Sequence, residues 1–187
     1  MVKDNIKFLK VALLGKYPGA VTRSSKYVVK DVLDLIGSEP LHTVIEYGPG
    51  DGVMTLEILK RLSPDGKMLA VEINPDFLKM LRKIPDSRLR VEDAKIQDVS
   101  ENIRAYGFND ADLVLSSVPF SFLSKTEREK VVRATEQTLA RGGMFVIFNQ
   151  TSYIMPKLLK KTFGKVKTRL EPRNIPPCLI ISAAKKF

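Results

Sequence analysis

The chain holds one cysteine, Cys178, and one histidine, His42, in 187 residues. A lone thiol makes no intrachain disulfide, which fits a reducing, cytoplasmic setting. So few soft ligands exclude a zinc site, and no metal is expected. Long hydrophobic runs are missing as well: no stretch of about 18 apolar residues is present to span a bilayer. The N-terminus mixes lysines among its apolar residues and lacks a small-residue cleavage site, so it does not read as a signal peptide. Internal repeats, low-complexity tracts and long linkers are also absent. The expectation is therefore a single domain over 1–187, with N-terminal helices in 1–37 and a core in 38–187.

What is in excess is positive charge, +10 in total, and its placement is uneven. Residues 1–30 carry seven Lys/Arg against Asp4, and residues 151–187 carry nine against Glu171. Between them, residues 31–150 hold fifteen basic and nineteen acidic side chains. Two basic ends attract polyanions, either an anionic membrane surface or RNA. Val2, Ile6, Leu9 and Leu13 share one helical face, with Lys3, Lys7 and Lys10 beside them. This is a basic amphipathic helix suited to a charged lipid surface, although a solvated helix covering one edge of the domain has the same pattern. A protein using it that way is cytoplasmic and peripheral at the inner membrane surface. A second helix is expected from Ser24 or Ser25 to Gly37, where Val28, Val32, Leu35 and Ile36 recur at helical spacing.

After residue 40, short apolar or β-branched runs alternate with helical stretches, the signature of a mostly parallel sheet. Strands are expected at 43–47, 67–73, 88–92, 112–117 and 143–149. Residues 52–62 form a helix in this reading, with SPDG at 63–66 as the turn after it. Ser124 and Glu127 make a capping box opening a helix that ends at Arg141-Gly142-Gly143. Runs at 164–170 and 178–184, joined by EPRNIPP, read as a closing hairpin. His42 is expected to precede the first strand, on the far edge of the sheet from the chemistry.

The chemistry is signalled by Glu46-Tyr47-Gly48-Pro49-Gly50-Asp51-Gly52, directly after the first strand. Glycines at 48, 50 and 52 remove side chains where backbone must turn sharply and approach a ligand. The spacing G-x-G-x-G differs from the G-x-G-x-x-G of dinucleotide folds. Glu72 ends the second strand, with Ile73 beside it. A carboxylate there accepts hydrogen bonds from the ribose hydroxyls of an adenosyl ligand. Asp51 reads equally as ligand contact or helix N-cap.

EYGPGDG resembles motif I of the class I S-adenosylmethionine-dependent methyltransferases, VEIN at 71–74 resembles motif II, and EDAKIQD at 92–98 resembles motif III. The resemblance implies an α/β, Rossmann-like fold: a mostly parallel seven-stranded sheet with a C-terminal antiparallel hairpin, preceded by N-terminal helices. It implies S-adenosyl-L-methionine as cofactor. Asp93, with Ala94 beside it, then falls where the family contacts the adenine amino group. Glu46 falls where the family supports the glycine loop near the methionine end. Ser116, Ser117 and Phe120 close the fourth strand, where donor methyl and acceptor meet.

Along nearly the whole chain the sequence is similar to the bacterial phospholipid N-methyltransferases, which methylate the head-group amine of phosphatidylethanolamine. The matching segments are GAVTRSS at 19–25, the glycine loop, SSVPF at 116–120 and RNIPP at 173–177. That resemblance places Thr22, Ser24 and Ser25 over the cofactor. Arginine suits phosphate geometry, so Arg173 and Asn174 are candidates for a lipid phosphate, the alternative being a loop that caps the hairpin. Tyr17, Tyr27 and Tyr153 are candidate acceptor-site hydroxyls or packing aromatics. The glycine loop is also similar to that of the ribosomal RNA adenine dimethyltransferases, with Phe120 placed to stack on a base. Here, however, Ser117-Val118-Pro119-Phe120 lacks their asparagine, and the sequence leaves no room for their helical C-terminal domain. A small soluble amine as acceptor, and a non-catalytic binding protein of the same fold, are the remaining alternatives.

Overall fold

The computed structural model describes residues 24–150 and 154–186. The amphipathic segment 2–13, Tyr17, Thr22 and Tyr153 therefore lie outside the described residues. Helix α1 (Lys26–Ile36) leads into β1 (Leu41–Tyr47), α2 (Val53–Leu59), β2 (Leu62–Glu72), α3 (Pro75–Leu81) and β3 (Leu89–Asp93). Then follow α4 (Ile96–Glu101), β4 (Ala111–Ser116), α5 (Lys125–Thr138), β5 (Leu139–Gln150), α6 (Ile154–Phe163), β6 (Lys167–Glu171) and β7 (Cys178–Ala184). Short 3-10 turns at Ile103–Tyr106 and Phe120–Phe122 flank β4.

The seven strands lie in the order β3-β2-β1-β4-β5-β7-β6. All pairs are parallel except those of β7, which runs antiparallel to both β5 and β6. Both faces of the sheet are covered, so successive strand residues enter opposite cores. Val44, Leu113, Leu115, Val146 and Ile180 pack against α1 and α2. Ile45, Val114, Phe145, Ile147 and Ile181 pack against α4, α5 and α6. Cys178 is buried in the first of these cores.

Local chemistry explains the element ends. Ser25 caps α1 by accepting from the Val28 N–H, and Gly37 closes it with φ of 81°. The Ser124/Glu127 capping box is present at the start of α5. A turn and a helix end expected from the sequence are instead bulges in strands. SPDG lies inside β2: Leu41 pairs with Leu62 but Thr43 pairs with Lys67, so 63–66 loop out between two paired positions. Helix α2 consequently ends at Leu59, and Leu62 opens β2. Likewise α5 ends at Thr138, earlier than Arg141, and 140–143 bulge between the Ala111–Leu139 and Leu113–Met144 pairs. Gly143 is needed there, because a Cβ would meet the Ala111 carbonyl oxygen at 2.5 Å. His42 lies within β1 instead of before it.

Helix α6 was not foreseen, although Met155, Leu159 and Phe163 recur at helical spacing and are all buried. The chain leaves β1 toward β2 and β3 on one side, then returns to β4 on the other. The carboxyl ends of β1 and β4 thus flank the switch point where open α/β sheets bind ligands.

Candidate functional site

The glycine loop leaves β1 at this switch point. Gly48, Gly50 and Gly52 all have positive φ, at 69°, 59° and 81°. Gly48 is doubly constrained: its N–H donates to the Val71 carbonyl at 2.9 Å, and a Cβ would meet Val118 Cγ2 at 2.7 Å. Ser117, half-buried after β4, donates its N–H to the Tyr47 carbonyl at 3.1 Å and its hydroxyl to the Gly48 carbonyl. Strands β1 and β4 therefore brace the loop from both sides.

Glu72 ties the loop to β2. Its Oε2 accepts the Gly50 N–H at 3.1 Å, and its Oε1 accepts the N–H groups of Ile73 at 2.8 Å and Asn74 at 2.9 Å. A carboxylate offers about four acceptor positions, so one on Oε2 is left to take a ribose hydroxyl. The expected grip on both hydroxyls would require Gly50 to give way. Burial pushes the Glu72 pKa up, against the lowering effect of those backbone donors.

Glu46 sits deeper, at 1% exposure. Its Oε2 accepts the Thr55 hydroxyl at 2.6 Å, while Oε1 is buried with no hydrogen-bond partner. Burial pushes its pKa up to about 7, and the nearby charges of Glu72 and Asp51 add to the rise. A buried carboxyl with one unpartnered oxygen beneath the loop suits a cation arriving from above.

Asp93 ends β3 directly beside Glu72 and is exposed. Ala94 donates its N–H to the Glu72 carbonyl at 3.2 Å. Ile73 keeps 40% of its surface exposed on the same edge. Glu72, Ile73, Asp93 and Ala94 are thereby brought together. Asp51 leaves the helix cap to Gly52, its Oδ1 lying 3.4 Å from the Val53 nitrogen.

Other candidates are placed differently. The Tyr47 ring is fully buried in the core, leaving only its backbone at the site. Ser116 is buried, and its hydroxyl accepts the Val118 N–H at 3.3 Å. Phe120 is only 1% exposed, so it cannot stack on a base without leaving the core; the exposed aromatic is Phe122. His42 hydrogen-bonds Ser63 through Nδ1 at 3.0 Å, at the opposite edge of the sheet.

The β6–β7 loop meets the start of α1. Asn174 is buried, accepts the Ser25 N–H at 3.1 Å and donates to the Pro176 carbonyl at 2.7 Å. Ser24 adjoins this contact. Arg173 forks onto Glu171, with Nε–Oε1 at 2.8 Å and Nη2–Oε2 at 2.5 Å, and stacks 4.2 Å from the Tyr27 ring centroid. Arg173 holds the Glu171 carboxyl down at about 2. Two nitrogens of the guanidinium are thus committed to structure, and Tyr27 serves as its platform.

Sequence reasoning missed Thr55, and it assigned no individual role to Val118 and Asn74 within the SSVPF and VEIN segments. Asn74 had a visible signal, since Asn before Pro75 is an N-cap followed by proline in the first turn; its Oδ1 accepts the Asp76 N–H at 2.9 Å. A broad groove between α4 and α5, walled by Glu101, Arg104, Lys130 and Arg133, touches none of these residues. Among the described residues no cluster of side chains is able to hold a metal ion.

A family model described as a methyltransferase domain matches residues 44–143. The chain is 28% identical over 179 residues to an ornithine lipid N-methyltransferase of Singulisphaera acidiphila, covering 94% of this chain and 93% of that protein. It is 28% identical over 156 residues to ribosomal RNA small subunit methyltransferase A of Thermotoga petrophila, covering 81% of this chain but only 54% of that one. The fold matches the N-methyltransferase NodS of Bradyrhizobium japonicum WM9, solved with S-adenosyl-L-homocysteine, at a TM-score of 0.68 and 14% identity. That match covers 92% of this chain and 90% of NodS.

Proposed function

The chain belongs to the methyltransferase-domain family and is an S-adenosylmethionine-dependent methyltransferase, and from that premise we propose that it methylates the head-group amine of a membrane lipid, phosphatidylethanolamine foremost. One observation carries the acceptor reading. Ser25, the last residue of GAVTRSS, and Asn174 of RNIPP belong to two segments outside the cofactor motifs that resemble phospholipid N-methyltransferases, and they meet at the carboxyl edge of the sheet, 149 residues apart. The relative acting on ornithine lipid supports a lipid amine, because the likeness runs end to end. The ribosomal RNA relative is matched over about half its length. Buried Phe120 further weakens the RNA alternative.

The residues present fit the cofactor. Gly48, Gly50 and Gly52 leave the loop backbone free of side chains, Glu72 keeps one acceptor position for the ribose, and Glu46 holds an unpartnered oxygen below. In this proposal Asp93 and Ile73 contact the adenine. When bound, S-adenosylmethionine supplies a methyl that passes to a nitrogen lone pair as its C–S bond breaks. The protein's task is alignment, worth roughly 7–11 kcal/mol, and exclusion of water. Ser117, tied to Gly48, and Val118 hold the loop on the acceptor side. An ammonium must lose its proton before it attacks, and an apolar wall of the kind Val118 begins disfavours its charged form.

Among the described residues no helix is long and apolar enough to cross a membrane. Membrane contact through the basic amphipathic segment of residues 1–15 is part of this proposal. The test is incubation with labelled S-adenosylmethionine and three acceptors: phosphatidylethanolamine vesicles, unmethylated ribosomal RNA and free ethanolamine. Label is expected in the lipid. Label in RNA or in free ethanolamine alone overturns the lipid assignment.

A further inference from the structure

Seven large apolar side chains are exposed among the described residues, and their distribution is uneven. The four most exposed are Ile175 at 85%, Phe122 at 61%, Leu170 at 58% and Ile154 at 49%. Phe122 follows β4, Ile154 opens α6 after β5, Leu170 is the penultimate residue of β6, and Ile175 lies in the β6–β7 loop. Because β6 runs parallel to β5, all four lie toward the carboxyl edge of the sheet, on the β4–β6 side of the switch point. Three strand steps separate β4 from β6, about 15 Å at 4.8 Å per step. The less exposed three, Leu56, Ile73 and Met80, belong to the β1–β3 side, where Glu72 and Asp93 sit.

The two sides of the edge have different tasks. Ribose and adenine positions lie over β2 and β3, so the acceptor must approach over β4, β5 and the hairpin. The exposed apolar rim is on that side. Cations surround it: Lys26 opens α1, Lys125 opens α5, and Lys157 lies in the first turn of α6, all exposed. From 154 to 170 the chain carries six Lys/Arg and no acid. Three acids near the rim are already engaged, Glu171 with Arg173, Asp31 with Arg169, and Glu127 in its capping box. Exposed Phe and Ile ringed by exposed lysines match an anionic bilayer, whose surface attracts the cations and whose interface accepts the apolar tips.

We propose that this rim, formed by Phe122, Leu170 and Ile175 with Lys26, Lys125 and Lys157, is a membrane-docking surface that seats the acceptor mouth on an anionic lipid bilayer. It rests on the lipid-amine reading and deepens it: the enzyme takes its acceptor from the bilayer plane through this edge, in addition to any contact made by residues 1–15. Every side chain named is exposed, so substituting them leaves both cores intact.

The test uses the full chain and flotation with vesicles of equal parts phosphatidylcholine and phosphatidylglycerol. Phe122→Ser/Ile175→Ser and Lys125→Glu/Lys157→Glu are compared with Leu56→Ser/Met80→Ser, which alters exposed apolar residues off the rim. Both rim variants are expected to lose about tenfold or more in vesicle affinity, with S-adenosylmethionine affinity by calorimetry unchanged. The off-rim variant should float like the wild type. Rim variants that float normally overturn the proposal, as does a wild-type protein that ignores the vesicles. A change of oligomeric state in the rim variants also overturns it, assigning the patch to a second copy of the chain. Methylation of detergent-dispersed lysophosphatidylethanolamine separates the two ideas. If wild type and rim variants methylate it equally, the acceptor reading stands whatever the flotation shows; if neither does, that reading falls while flotation still judges the surface.

Discussion

Replacing Glu46 with glutamine isolates a strongly perturbed group at the site. Its carboxyl is 1% exposed, its Oε1 has no partner, and burial moves its pKa from 4.5 to about 7. Between those values the folded protein keeps a proton that the unfolded chain has released. The folded state therefore binds more protons, and stability falls as pH rises through the window. The gap amounts to about 3 kcal/mol, absent below pH 4.5 and fully felt above pH 7. The substituted amide stays neutral and can still accept the Thr55 hydroxyl, so Glu46→Gln has no such loss. Subtracting one protein's urea stability from the other's cancels the titrating groups that do not interact with Glu46, leaving its own titration and its coupling to Glu72 and Asp51. The variant should gain about 2–3 kcal/mol on the wild type between pH 5 and pH 8.5. With no tryptophan in the chain, far-ultraviolet circular dichroism is the convenient probe. A difference that stays constant across that range refutes the idea that burial holds the proton on Glu46.

Two further substitutions test the frame of the site. Glu72→Gln turns one acceptor oxygen into a donor facing the N–H groups of Gly50, Ile73 and Asn74. An unsatisfied buried donor costs about 1–3 kcal/mol, so S-adenosylmethionine affinity by calorimetry should drop about tenfold or more; equal affinity would show that this carboxylate does not order the loop. Phe120→Ala should destabilise the domain by about 3–5 kcal/mol in urea because it empties a core position, while Phe122→Ala should stay within about 0.5 kcal/mol. Equal effects would contradict the opposite burial of the two rings.

Much of the fold and part of the site were legible because their causes are local. Glycines at 48, 50 and 52 permit a loop with positive φ that other residues resist, and Ser25, Gly37 and the Ser124/Glu127 pair mark helix ends from within one turn. Alternating apolar runs announced the strands, and EPRNIPP announced the hairpin. Other features belong to no single stretch of sequence. SPDG has turn chemistry, yet pairing on both sides makes it a bulge in β2; Gly142-Gly143 has helix-stop chemistry, yet it bulges β5 after α5 has already ended. Phe120 and Phe122 are two residues apart, and only packing against α5 and α6 decides which is buried. Tertiary structure alone puts Thr55 on Glu46, Val118 over Gly48 and Ser25 on Asn174, because those contacts depend on strand order and on which helix covers which face. By itself the sequence determined the backbone chemistry of a cofactor loop and the elements around it. The assembled sheet decided how each carboxylate is buried, paired and protonated, since desolvation arises only when distant segments close over a group.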